Sequence, residues 1–264
     1  MSALRFAIPI FALVISPVFA GEIGSFDRTL NVSGPLDLDI STGAGSITVR
    51  PGDGKQVKIH GTISSSNMFD SEDQAKRARE IESNPPIEQT GNWIRIGRFH
   101  DEWLSQNLSI SYEVVAPAAT KLRARTGSGG ESIEGIEGPV DASSGSGGVR
   151  VFRIQQDVRV SAGSGTIQLD SIKGQVSAST GSGGIRDDGV QAPVTARAGS
   201  GGIRLRLNPN LGFDLHARTG SGGVFVGPAM TTQGRFERHE VRGQIRGGGS
   251  ALNLSTGSGG VRVE

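Results

Sequence analysis

The chain reads VDASSGSGGVRV at residues 140–151, VRVSAGSGTIQL at 158–169, VSASTGSGGIRD at 176–187 and VTARAGSGGIRL at 194–205, so one pattern recurs every 18 residues. In each copy, apolar side chains alternate with polar ones before a glycine-rich turn and again after it. Alternation with a period of two is typical of a β-strand buried on one face. Each copy therefore predicts a strand, a tight turn and a second strand.

A regular repeat of this length predicts stacked coils. The turn begins with a glycine that recurs at Gly43, Gly127, Gly145, Gly163, Gly181, Gly199, Gly220 and Gly257. A fixed period near 20 residues is typical of a solenoid, in which neighbouring coils pair as parallel strands. Stacking would form one interior column from Val140, Val158, Val176 and Val194 and a second from Val149, Ile167, Ile185 and Ile203. We therefore expect an all-β solenoid of ~18-residue strand-turn-strand coils.

The turns suggest two roles for their small residues. Glycine adopts positive φ without a Cβ penalty, which would let the chain bend within four residues. A column of hydroxyls that bond along the stack is expected from Ser128, Ser146, Ser164, Ser182, Ser200, Ser221 and Ser258. A phosphate-binding loop is the alternative, but no lysine completes such a motif and the turns lead into strands.

The N-terminus predicts export. Arg5 precedes an apolar run, residues 6–15, and small residues at Val18 and Ala20 suit signal-peptide cleavage between Ala20 and Gly21. An uncleaved anchor is the alternative, although the run is short for a bilayer span. The chain contains no cysteine, which excludes disulfides and lipid attachment through that residue. We expect residues 1–20 to be a signal peptide and the mature chain, with no membrane span, to be periplasmic, on the cell surface or secreted.

The mature chain, residues 21–264, is interpreted as a single domain. Residues 121–264 form the repeat array, and residues 21–120 form an irregular N-terminal part that begins with one early coil around Gly43. A capping pattern at the start of residues 71–83 predicts the one substantial helix there, which would pack on a flank or an end of the array. Strands are predicted at residues 93–96 and 108–115.

Three features together resemble a known family. They are the segment Ser111–Pro117, the repeated Thr-Gly-Ser-Gly turns and the sequence IEGIEGPV at residues 133–140. The chain resembles the putative bacterial adhesin family with β-strand repeats, a domain of unknown function. The resemblance implies a β-solenoid on a cell-envelope protein. Family members commonly carry Asn-Gly-Asp in the turn, whereas this chain has Ser-Gly-Gly.

Catalytic and metal-binding patterns are absent from the sequence. The histidines His60, His100, His216 and His239 are scattered and none belongs to a nucleophile motif, so they are interpreted as surface residues. His100 is followed by Asp101 and Glu102, but adjacent side chains diverge along an extended chain. We therefore predict no catalytic residue, no metal site and no cofactor.

One pair of carboxylates could suggest a glycosidase, because such enzymes use two carboxyl groups at a defined separation. Asp187 and Asp188 are adjacent, and Asp187 falls in the register that Leu169 and Leu205 occupy in neighbouring coils. The residue is therefore either buried or exposed by a bulge before Gly189, and we expect the bulge to expose both carboxylates.

Outward positions carry the candidate binding residues. Arg150, Arg186 and Arg204 share one register, with Gln168 in the remaining slot. Arg153, Arg159, Arg197 and Arg206 could broaden this basic stripe on neighbouring faces. Guanidinium groups suit the carboxylates or phosphates of an anionic glycan or another envelope polymer. The alternative is a solvated face that blocks edge aggregation.

The function predicted from these features is an exported cell-envelope module for binding or structure, and not an enzyme. The alternative is a β-helical carbohydrate-active enzyme, which the lack of a convergent acid, base and aromatic subsite disfavours. A sensor partner of an envelope stress system is a third possibility. The net charge of +1 gives no support to nucleic-acid binding, and the oligomeric state is left open.

Overall fold

The computed structural model describes residues 21–52, 54–65, 71–232 and 239–264, so the predicted signal peptide lies outside the described residues. Within those ranges the elements are β1 (Glu22–Asn31), β2 (Leu36–Thr42), β3 (Ile47–Gly52), β4 (Gln56–Ser65), α1 (Ser71–Ser83), β5 (Ile87–Thr90), β6 (Trp93–Ile96), a 3-10 helix (Glu102–Ser105), β7 (Leu108–Pro117), β8 (Thr120–Thr126), β9 (Glu131–Glu134), β10 (Val140–Ser144), β11 (Val149–Phe152), β12 (Val158–Ala162), β13 (Ile167–Asp170), β14 (Val176–Thr180), β15 (Ile185–Val190), β16 (Val194–Ala198), β17 (Ile203–Leu207), β18 (Phe213–Thr219), β19 (Val224–Val226), β20 (Met230–Thr232), β21 (Glu240–Ile245), β22 (Ser250–Thr256) and β23 (Val261–Val263).

The described strands form two sheets. Sheet I has the order β1-β4-β7-β3-β9-β11-β13-β15-β17-β23-β19, and sheet II has the order β20-β21-β18-β22-β16-β14-β12-β10-β8-β2-β6-β5. Each repeat contributes one strand to each sheet, and the inward side chains of both sheets form one hydrophobic cluster. The prediction of an all-β solenoid is confirmed.

Both interior columns form as expected. In sheet II, Val158 on β12 pairs in parallel register with Val140 on β10 and Val176 on β14, and Val194 on β16 continues the column. All four side chains are buried. The column of Val149, Ile167, Ile185 and Ile203 lies in register in sheet I. The 18-residue period therefore corresponds to one coil of the stack.

The last coil of the chain is inserted out of sequence order. Strands β22 and β23 pair with β16 and β17 of the regular array on one side, and with β18 and β19 on the other. The coil formed by β18 and β19 therefore lies one layer farther out, although it comes earlier in the chain. Antiparallel β21 and β20 extend sheet II beyond it.

At the opposite end, antiparallel pairing extends sheet I through β7, β4 and β1. The predicted helix has the expected bounds, and α1 packs against β1 and the 3-10 helix. Its apolar side chains Ala78 and Ile81 are buried there. The helix therefore packs at one end of sheet I, one of the two placements that were expected, a flank or an end of the array.

The hydroxyl ladder is real, but the expected serines do not form it. Ser146 and its equivalents are exposed at the turn tips. The hydroxyls come from the residue before the first glycine, except in the two coils in which Ala162 and Ala198 occupy this position. Ser144 Oγ donates to Gly129 O of the preceding coil at 2.9 Å and accepts from Gly147 N of its own turn at 2.8 Å. Equivalent pairs of bonds are made by Thr126, Thr180, Thr219 and Thr256. This position faces the interior, so the hydroxyls are buried and satisfy the backbone of two successive turns.

The reason for the turn glycines also differs from the expectation. Among the turns that define the repeat, only Gly45 has a positive φ. The first and third glycines are needed because the backbone of the adjacent coil approaches them closely. A Cβ at Gly183 would overlap Gly165 O, whereas a Cβ at Gly184, the fourth position, would lie 3.3 Å from Gly202 O. The fourth position accordingly accepts a side chain in another coil, where Thr166 occupies it.

This difference predicts a large effect on stability for one substitution and a small effect for its neighbour. Gly183→Ala is expected to lower the free energy of unfolding by about 3 kcal/mol, because the overlap can be relieved only by separating two coils. Gly184→Ala is expected to change it by less than about 1 kcal/mol, since alanine also reduces the entropy of the unfolded chain. Urea denaturation of both variants measures the difference. Equal midpoints for the two variants would show that coil spacing does not select these glycines.

Candidate functional site

The three arginines predicted to bind a ligand lie in one outward row of sheet I. Arg150 on β11 is next to Gln168 on β13, Gln168 is next to Arg186 on β15, and Arg186 is next to Arg204 on β17. Because adjacent strands lie about 4.8 Å apart, Arg186 and Arg204 present their guanidinium groups from neighbouring coils. The shared register that was inferred from the repeat therefore exists in three dimensions.

The inserted last coil lengthens this row with a residue that the sequence reasoning missed. Arg262 on β23 follows Arg204, and Phe225 on β19 follows Arg262. The signal was present, since Arg262 occupies the same position after its turn as Arg204, but the out-of-order stacking hid the adjacency. We call the set Arg150, Gln168, Arg186, Arg204 and Arg262 the arginine row.

A shallow groove covers the end of the arginine row. It has a volume of ≈ 500 Å³ and extends from Arg186 to Phe225. The Phe225 side chain is 51% exposed, and Arg262 Cζ lies 4.7 Å from the centre of its ring. An exposed aromatic ring with a guanidinium on its face forms a flat, partly apolar platform beside the positive charges.

Carboxylates in the adjacent outward row neutralise some of these arginines. Arg186 Nε lies 2.7 Å from Asp188 Oδ2, and Arg262 Nη1 lies 3.2 Å from Glu264 Oε1. Within the described ranges, Arg204 has no hydrogen bond or ion pair, so its charge is the least compensated of the three at this end. The surface therefore carries both positive and negative side chains, and Arg204 is the arginine available to bind an anion.

The other arginines proposed to broaden the stripe are dispersed. Arg153 forms an ion pair with Glu134. Arg159 and Arg197 lie on β12 and β16, on the outer face of sheet II. Of the four, Arg206 alone borders the arginine row, two residues along β17 from Arg204. The basic surface is therefore narrower than expected.

The expectation that a bulge exposes both Asp187 and Asp188 is wrong. The register shift lies between Asp188 and Val190, so Asp187 keeps its interior position between Leu169 and Leu205 and is 2% exposed. Burial, with a smaller contribution from Asp188, raises the pKa of Asp187 to about 7. The two carboxylates point to opposite faces of the sheet, which does not match the paired geometry that glycosidases need.

One of the four histidines interpreted as scattered surface residues, His60, has partners that the sequence did not reveal. His60 Nδ1 lies 2.9 Å from Asp27 Oδ1, and His60 Nε2 lies 3.3 Å from Thr62 Oγ1. Antiparallel pairing of β1 with β4 brings Asp27 opposite His60. The order of groups resembles a nucleophile relay, but the Asp27 side chain is 83% exposed, so water screens the carboxylate that would orient the imidazole.

The sequence His100-Asp101-Glu102 has a local structural role. Asp101 Oδ1 accepts a hydrogen bond from Trp103 N at 3.0 Å and caps the 3-10 helix. No group of three or more potential metal ligands is clustered in the described ranges. The helices of the same ranges are all too short or too polar to cross a membrane.

A buried acidic residue that was not predicted from the sequence lies in the core. Glu131 on β9 is paired between Ile47 and Val149, in the interior column of sheet I, and is 2% exposed. Its carboxylate oxygens form no close hydrogen bond with a described residue, although the backbone of Ser143 and Thr126 lies near enough to act against the effect of burial. Burial raises the pKa of Glu131 to about 8. The signal in the sequence is that its turn, Gly127–Gly130, is followed by Glu where other coils have Val or Ile.

Comparisons with known proteins give a family and two distant structures. The family model described as Toastrack DUF4097 matches residues 102–264. A structure of "a putative cell adhesion protein" from Clostridium sporogenes is 14% identical, with 90% of this chain and 98% of that chain covered and a TM-score of 0.42. A structure of "a putative adhesin" from Bacteroides fragilis is 13% identical, with 91% and 97% covered and the same TM-score of 0.42. No curated protein matches the chain.

Proposed function

The chain belongs to the Toastrack DUF4097 family, a domain of unknown function, and from that premise we propose that it is a non-enzymatic binding module of the cell envelope. Its arginine row would contact the anionic groups of a surface polymer. Family membership confirms the resemblance inferred from the sequence.

The observation that supports this proposal is the register of the arginine row. Arg186, Arg204 and Arg262 lie on three consecutive strands and line one groove of ≈ 500 Å³. A guanidinium matches carboxylate and phosphate oxygens with a rigid fork of N–H donors. A linear polymer with repeated anionic groups could therefore contact several coils at once, each contact being weak.

The contributions of the arginines are expected to be unequal. Asp188 and Glu264 already compete for Arg186 and Arg262, so a ligand must replace those ion pairs to gain from either residue. Arg204 has no such competitor among the described residues. Exposed charges are screened within about 8 Å at physiological ionic strength, so binding should weaken as salt increases.

The test is to measure binding of polygalacturonate, a carboxylate polymer, and polyphosphate at low salt. Arg204→Ser is expected to weaken binding by about tenfold and Arg186→Ser by less, since one charged hydrogen bond to a ligand contributes about 1.5 kcal/mol. The combined variant with Arg150, Arg186 and Arg204 changed to Ser should show no binding and an unchanged melting temperature.

Arg197→Ser supplies the matched control, because Arg197 is an exposed arginine on the outer face of sheet II. Neutral dextran controls for nonspecific adsorption. If the parent protein binds neither polyanion at low salt, or if the triple variant binds as the parent does, the arginine row is only a solvated face.

A further inference from the structure

A second groove lies far from the arginine row in the fold, beside the 3-10 helix that follows β6. Its volume is ≈ 720 Å³, within the range of small-molecule sites. Two aromatic rings and several polar side chains line it: Arg98, Phe99, Glu102, Trp103, Ser105 and Gln106. Phe99 in the loop before the 3-10 helix and Trp103 within that helix both contribute to the lining, which the sequence did not reveal.

Trp103 is exposed, and its main chain is held by neighbouring side chains. Its side chain is 46% exposed, and Arg77 Cζ of helix α1 lies 5.2 Å from the ring centre. The buried Arg77 side chain donates to Trp103 O at 3.0 Å and to Gln106 O at 2.6 Å. Asp101 caps the same 3-10 helix at its N-terminus. The main chain that carries the indole is therefore held at both ends of the turn, which lowers the entropy lost when a flat ligand surface contacts the ring.

The polar side chains around the indole include one positive and one negative charge, and they are free to bind a ligand. Arg98, Glu102 and Gln106 are exposed, and their side chains make no hydrogen bond with any described residue. Together they offer N–H donors and carboxylate and amide acceptors at the rim of one aromatic surface. A lipid chain would need a deep apolar channel, and a polyanion would need a net positive surface, whereas this groove has one cation and one anion.

We propose that this groove binds an uncharged hexose or N-acetylhexosamine unit of a glycan, with the apolar C–H face of the sugar ring against Trp103. Sugar hydroxyls act as both donors and acceptors, which matches the mixed rim of Arg98, Glu102 and Gln106. The inference rests on the proposed function and deepens it: the Trp103 groove would recognise neutral sugar rings, and the arginine row the charged groups, of an envelope polymer.

The chain contains two tryptophans, which makes a direct optical test possible. In a Trp93→Phe background, Trp103 is the only indole, and its emission can be titrated with cellotriose, maltotriose and triacetylchitotriose. We expect saturable quenching or a blue shift in the millimolar range with at least one of them, little changed by salt. Glu102→Gln and Gln106→Ala should each weaken the affinity severalfold.

Calorimetric titration of two alanine variants, one at each groove, completes the test. Trp103→Ala should reduce affinity by about tenfold or more, while Phe225→Ala, which removes the exposed ring at the other groove, should have no effect. Absence of any response of Trp103 to all three sugars, or sugar binding that survives Trp103→Ala, would overturn the inference. If the parent protein binds sugars but no polyanion, the result counts against the arginine row. If it binds polyanions but no sugar, the result counts only against the Trp103 groove.

Discussion

Replacing Glu131 by glutamine is expected to raise the free energy of unfolding by about 4 kcal/mol at pH 8 and to leave it nearly unchanged at pH 4. The carboxyl group lies in the apolar core of sheet I, between Ile47 and Val149. Ionisation there removes a charge from water, and the backbone of Ser143 and Thr126 offsets only part of that cost. Glutamine retains the shape of the side chain and stays neutral at every pH.

The direction of the pH dependence follows from proton binding. Burial raises the pKa of Glu131 to about 8 in the folded protein, from 4.5 as the ordinary value of the unfolded chain. Between these values the folded state binds more protons than the unfolded state, so the stability contribution is present in full below pH 4.5 and is lost as pH rises to 8. Asp187, with its pKa raised to about 7, acts in the same direction.

Urea denaturation of the parent and of Glu131→Gln at pH 4, 6 and 8 measures this effect. Comparison of the two proteins at each pH isolates the contribution of Glu131 from that of Asp187 and the surface groups. Glu137→Gln is the matched control, because Glu137 is exposed a short distance along the chain. A parallel pH dependence in the parent and in Glu131→Gln would contradict the burial of this carboxyl group.

Val158→Asp is expected to remove about 6 kcal/mol of stability at neutral pH, which is comparable with the whole stability of many domains. The substitution removes the burial of one valine side chain, about 2 kcal/mol, from a column that contacts Val140 and Val176. It also introduces an interior acid. Asp187 shows what such a group costs, since a rise of its pKa from 3.8 to about 7 corresponds to about 4 kcal/mol at pH 7.

Circular dichroism during thermal unfolding distinguishes this effect from a surface effect. Arg159→Asp introduces the same residue one position along β12 but on the outward face, and it should unfold within a few degrees of the parent. Because each coil is paired with both neighbours, Val158→Asp should lower the transition of the whole array and not of one coil. A melting curve for Val158→Asp that matches that of Arg159→Asp would be inconsistent with an interior column.

Much of the fold and part of the candidate site could be predicted because they depend on local periodicity. An alternation of two residues within an 18-residue repeat specifies which side chains point inward and which coils contact each other, and it brought Arg150, Arg186 and Arg204 into one row. The helix at residues 71–83 was equally accessible, since its start and its end are marked by capping and proline residues.

The assignments that failed are those that depend on contacts between distant segments. The hydroxyl ladder and the close approach that requires the first and third glycines are set by the distance between coils, which no single repeat contains. The burial of Asp187 depends on where the register between β15 and β17 shifts. Asp27 approaches His60 from an antiparallel strand, and the Trp103 groove comes from a 3-10 helix and the loop before it, which the repeat does not describe.

The sequence by itself determined the unit of this protein: a strand, a glycine turn and a strand, with its inward and outward faces. The tertiary structure alone decided the order in which the units stack, because most coils present similar apolar side chains at the same inward positions, so the repeat does not specify which coil lies beside which. That equivalence lets β22 and β23 pair beside β16 and β17, ahead of the earlier β18 and β19. The same insertion brings Arg262 next to Arg204, because register specifies a position within a coil but not the coil that lies beside it.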